Sequence, residues 1–252
     1  MFGTLLFLNV TSNHGQQIMS ASAVQLEASS KTARFWNATI GKKAVMAVSG
    51  LVLFGFLIGH LAGNLGVFLG QKHFDDYAAM LKSMPAVLWG TRITLLVMVF
   101  LHVWSAASLW SRNSSARRYQ YVKKESIVSS YASRTMYMSG PILAAFIVYH
   151  LLHFTVGVGG TPFEEGHAYE NLVAGFQVWF ISLFYIVAMA MLCLHLYHGI
   201  WSLTQTLGFG HPKYSPRIRA AAKAIAIAMF LGFSSIPAAV LAGIIKPVES
   251  SI

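Results

Sequence analysis

Apolar residues in this chain gather into five long runs, at roughly 43–69, 88–111, 135–158, 172–207 and 219–245, joined by shorter polar links. Several stretches run for roughly 20 residues without an acid or a base, the length a helix needs to cross about 30 Å of hydrocarbon. Backbone groups in lipid must be paired within the segment, so each run is predicted to be a helix. The expected fold is an all-α integral membrane protein with five transmembrane helices, the first four forming a bundle. Pro141 and Pro237 are expected to kink the third and fifth spans or to mark their ends. The fourth run is too long for one crossing and is expected to tilt or to project a polar end beyond the bilayer.

Residues 1–41 read as an N-terminal cytoplasmic segment, partly disordered or mis-started. Phe2–Val10 is too short to span and has no basic residue before it, and Met19 serves equally well as a start. Residues 42–246 form the membrane domain, and 247–252 a short outer tail. Composition agrees: 56% of the 252 residues are hydrophobic and 10% charged, against about a quarter charged in a soluble domain. The formal charge of +10 reads as positive flanks of a membrane protein rather than a nucleic-acid surface. The single cysteine, Cys193, excludes an internal disulfide and a Cys-x-x-Cys-His haem attachment site.

Lysine and arginine set the orientation. Lys31, Arg34, Lys42 and Lys43 precede the first span. Arg112, Arg117, Arg118, Lys123, Lys124 and Arg134 link the second and third, and Lys213, Arg217 and Arg219 the fourth and fifth. The link between the third and fourth spans instead holds Glu164, Glu165 and Glu170 with no Lys or Arg. The N-terminus is therefore expected in the cytoplasm and the C-terminus outside, in a bacterial inner membrane.

Four histidines, His60, His102, His150 and His195, fall one in each of the first four spans. Ionisable side chains at this depth are costly and mark functional sites. Counting rise from the cytoplasmic ends puts His60 at ~27 Å and His150 at ~24 Å, with His102 at ~14 Å and His195 at ~18 Å. Two layers result, pairing His60 with His150 towards the outside and His102 with His195 towards the cytoplasm. Two neutral imidazoles on opposite faces of haem iron give a six-coordinate centre suited to electron transfer. Gly59, Ala62 and Gly63 beside His60, Ala106 and Ala107 after His102, and Gly199 after His195 would admit a flat macrocycle, although small residues also serve close helix packing. His153 and His198 each lie three residues beyond a candidate ligand and share its helix face, so spacing alone leaves the choice within each pair open.

The chain resembles the cytochrome b membrane subunit of succinate:quinone oxidoreductase and quinol:fumarate reductase, in its single-chain, five-helix, two-haem type. The resemblance covers roughly residues 40–245. It rests on Leu57 to Leu61 around His60, Phe100 and Leu101 before His102, Gly140 ten residues ahead of His150, and His195 followed by Gly199, Ile200, Trp201 and Ser202. It implies that His60, His102, His150 and His195 are the axial ligands of two haems b, paired first with third and second with fourth. It also implies a flavoprotein and an iron–sulfur subunit on the cytoplasmic face, with menaquinone or ubiquinone as the membrane substrate. The subunit would be one part of a larger complex that can assemble further, and neither a flavin nor a dicarboxylate site lies on this chain.

No acidic residue falls within the five spans, and Leu192, Cys193 and Leu194 stand before His195 where some family members carry a glutamate. Protons for quinone are then expected from the outer loop, where His73, Asp75 and Asp76 are the candidate groups and Lys82 and Arg92 candidate partners for haem propionates. Asp76→Asn is expected to alter quinone turnover with both haems kept. Two other readings compete: the cytochrome b of a different quinone-linked dehydrogenase, which would lack a covalent flavoprotein partner, and a haem-free transporter, which would be colourless.

Overall fold

The computed structural model describes residue 36 and residues 38–115 and 131–248, and every regular element among them is helical. Helix α1 (Thr39–Leu65) passes through a 3-10 turn (Gly66–Leu69) to the short α2 (Gln71–Lys82), then to α3 (Pro85–Ser115). Helix α4 (Tyr131–Leu151) continues as a π-helical turn (Leu152–Val156), and α5 (Ala168–Gln177), α6 (Trp179–Thr206) and α7 (Ser215–Leu241) follow. Five helices are long and apolar enough to cross a membrane, and the chain is a multi-pass membrane protein. Most of the expected N-terminal segment, Arg117, Arg118, Lys123, Lys124 and the last four residues lie outside the described residues.

The helix boundaries follow local chemistry. Pro85 opens α3 and Pro216 stands in the first turn of α7, where a missing N–H is harmless. Pro141 and Pro237 sit inside continuous helices instead of ending them. The fourth apolar run behaves differently from the expected single tilted helix: it breaks at Val178, whose extended backbone separates α5 from α6. No glycine or proline stands at Val178. The break is held by the fully buried Ser182, whose hydroxyl donates to the Phe176 carbonyl left over at the end of α5 (2.6 Å).

Helix α1 packs on α3, α6 and α7, and α6 packs on both α4 and α7. At one end of the bundle, α2 and α5 lie against each other and cap it. Asp75 accepts a hydrogen bond from the Tyr169 backbone N–H (2.9 Å), Gln71 donates to Glu170 (3.2 Å), and Lys82 pairs with Glu165 (3.3 Å). The main apolar core is concentrated there, with Val67, Phe74, Phe146, Val173, Phe176 and Tyr185 buried together. Elsewhere large side chains such as Leu96, Phe100 and Trp110 point outward, each about two-thirds exposed. A soluble monomer rarely leaves so much apolar surface bare, whereas a lipid-facing helix requires it.

Candidate haem-binding histidine pairs

The four intramembrane histidines meet across the bundle in two pairs. The His60 and His150 rings have centroids 5.8 Å apart and cross nearly at right angles (86°), while His102 and His195 stand 6.2 Å apart at 55°. By helical rise, the first pair lies within about 9 Å of the capped end and the second about 25 Å from it. Sequence depth therefore anticipated both which histidines meet and their separation into layers. The helices that carry each pair, α1 with α4 and α3 with α6, are not closely packed neighbours. Their imidazoles reach across a gap.

That geometry fits a metal held between two rings. With metal–imidazole bonds of about 2 Å, trans imidazoles have centroids roughly 6 Å apart. A methyl group added at Gly59, Gly140 or Gly199 would meet nothing within 4 Å, so these glycines border open space and are not spent on helix packing. Gly63 is the exception, because the Tyr77 ring fills its space. Gly50 is close-packed against a candidate ligand: a Cβ there would stand 3.2 Å from His102 Cε1.

Each candidate ligand also has a polar neighbour. Ser49 Oγ lies 3.2 Å from His102 Nδ1, Ser139 Oγ 3.4 Å from His195 Nδ1, and Tyr185 Oη 3.5 Å from His150 Nδ1. The Asn64 amide sits 3.4 Å from both ring nitrogens of His60. A ligating imidazole characteristically donates its second N–H to an acceptor such as the serine or tyrosine oxygen, which fixes the tautomer and aims the other nitrogen at the metal. The Asn64 amide nitrogen is itself a donor and gives its hydrogen to the His60 carbonyl (2.8 Å). Sequence reasoning missed these partners, because a serine or tyrosine on a neighbouring helix carries no spacing signal. Aromatic rings complete the capped-end site: Phe56 stacks on His60 (5.2 Å) and Phe146 on His150 (5.8 Å).

The structure separates His150 from His153. The chain turns π-helical at Leu152, and His153 swings away from the His60 gap into the protein, where it is 2% exposed. Both of its nitrogens are engaged, Nδ1 with Tyr185 Oη (3.0 Å) and Nε2 with Thr161 Oγ1 (3.1 Å). Neither is left for a metal. His198 is half-buried and stays out of the pair that His195 makes with His102.

The outer-loop candidates part company. His73 lines a pocket of about 300 Å³ with Gly59, Ala62, Gly63, Gly66 and Tyr77, one residue from His60. Asp75 is committed to the α5 backbone, and Asp76 forms an exposed pair with Lys72 (2.6 Å), which holds the Lys72 ammonium above its ordinary pKa by hydrogen bond and charge. Arg92 stacks over Trp89 (5.2 Å), and Lys82 holds Glu165. At the opposite end, two cations lie over indoles, Lys42 on Trp104 (5.5 Å) and Arg219 on Trp201 (4.4 Å).

These features define a class: an all-helical, multi-pass membrane protein with two layers of facing histidines. Residues 111–235, just under half of the chain, match the family described as succinate dehydrogenase/fumarate reductase transmembrane subunit. The match runs from the end of α3 into α7, takes in His150 and His195, and supports placing the chain with these membrane subunits. No curated protein and no solved structure matches it.

Proposed function

We propose that this chain is the membrane-anchor cytochrome b subunit of a succinate:quinone oxidoreductase, working in either direction. In this reading His60 with His150 and His102 with His195 are the axial ligands of two haems b. The observation that carries it is the pair of ring separations near 6 Å, one at each of two depths, between helices that otherwise leave a gap. When bound, the haems supply reversible one-electron transfer across the apolar layer.

The residues of the chain do the remaining work. The four histidine nitrogens would hold the iron, and the oxygens of Ser49, Ser139 and Tyr185 would orient His102, His195 and His150. Aromatic rings around the His60/His150 pair keep water out and lower the local polarity. The basic links set the end opposite the cap in the cytoplasm, where an iron–sulfur subunit and its flavoprotein would dock near Lys42 and Arg219. Quinone would meet the chain at the capped end, in the pocket beside His60.

Within that pocket His73 is the residue placed to deliver or accept a quinone proton, because Asp75 and Asp76 are already paired. His73→Ala is expected to slow succinate:quinone activity by about a hundredfold, the low side of what a positioned acid–base group contributes. Haem content and succinate oxidation with an artificial acceptor should hold. Unchanged quinone kinetics would move the site elsewhere. Co-purification of the chain with a covalent flavoprotein tests the partner assignment, and its absence would favour another quinone-linked cytochrome b.

A further inference from the structure

The two histidine pairs are not supported alike. Ser49 donates its own hydrogen to the α1 carbonyls of Val45 (2.7 Å) or Met46 (3.1 Å), and Ser139 donates to Met136 (3.5 Å). Each serine oxygen is left to accept from an imidazole N–H, and the hydrogen-bonded path ends in the helix. At the capped end the path continues. Tyr185 Oη stands between His150 Nδ1 (3.5 Å) and His153 Nδ1 (3.0 Å), and His153 reaches Thr161 through its other nitrogen (3.1 Å).

Donor and acceptor bookkeeping allows this path one direction once His150 Nε2 binds a metal. A neutral imidazole has a single N–H, so ligation at Nε2 puts the proton on Nδ1, which donates to Tyr185 Oη. The phenol has one hydrogen, which then goes to His153 Nδ1. His153 must in turn carry its proton on Nε2 and donate to Thr161 Oγ1. Tyr185 and His153 each accept once and donate once, and the alignment polarises each successive bond. The surroundings hold it in place, because Gly159 and Gly175 leave His153 no room: a Cβ would approach its ring to 2.4 and 2.9 Å.

We propose that Tyr185 is a positioning residue for the His150 ligand, and that the aligned series His150–Tyr185–His153–Thr161 sets the potential of the capped-end haem independently of the other. The inference rests on the haem reading above. An N–H that donates into an aligned series makes its imidazole a more basic ligand, which stabilises oxidised iron and lowers the potential. The serine-supported pair lacks the extension, so the chain gives its two centres different electronic surroundings with the same ligand set.

The experiment is a redox titration of the complex purified with this chain, followed in the visible spectrum, with low-temperature EPR of the oxidised haems. Wild-type haem content is read first; a haem-free wild type overturns the haem reading and this inference with it. In Tyr185→Phe the capped-end component should move to higher potential and change its EPR signal, while the His102/His195 component stays fixed. Thr161→Val should move the same component the same way by less, and it stands in if the phenylalanine variant does not accumulate. With two haems bound, no movement of either component, or equal movement of both, contradicts the proposal.

Discussion

Replacing His195 with alanine is expected to halve the haem content of the chain, from two to one, and to leave the capped-end component in place. His102→Ala should give the same phenotype, since the two rings face one another at 6.2 Å and share no contact with the His60/His150 layer. The loss should also reach stability. A cofactor present at a thousandfold excess over its dissociation constant stabilises the native state by about 4 kcal/mol, so the melting temperature should drop with the pigment. Pyridine haemochrome quantification and thermal unfolding in detergent report both effects. His198→Ala is the matched control and should retain two haems; loss of a haem there would reassign the ligand on α6.

The second large effect is expected from Gly159→Ala. A methyl group at this position would lie 2.4 Å from His153 Cδ2 and 2.8 Å from the His153 Cα, and a Cα cannot rotate away. Overpacking of this kind typically destabilises by about 1–3 kcal/mol. The strain falls where the π turn, the loop after it and Tyr185 meet, so the capped-end haem should be bound less completely as the melting temperature falls. A variant as stable as wild type with an unaltered spectrum would show that the packing around His153 is looser than this structure has it.

What the sequence revealed, and what it hid, follows from the range of the forces involved. Five apolar runs announce five helices because the bilayer demands length and hydrophobicity of each segment separately. Histidine depth was legible for the same reason, since rise along a helix is fixed and the membrane gives a common origin. Side-chain direction was not. His150 and His153 share a face on an ideal helix, yet beyond the π turn only His150 faces His60, while His153 reaches Thr161 and is packed against Gly159 and Gly175, with Tyr185 between the two rings. The break at Val178 was equally hidden, because it depends on Ser182 reaching back to Phe176 and not on a helix breaker. Asp75 and Asp76 look alike in the sequence, and only folding sets Asp75 against the α5 backbone and Lys72 beside an exposed Asp76.

The central claim, that the two facing histidine pairs each hold a haem, is tested most directly on the purified wild-type chain. A reduced-minus-oxidised visible spectrum with pyridine haemochrome quantification should give two haems b per polypeptide. A well-folded, colourless preparation would contradict the account and leave the paired histidines in need of a different ligand.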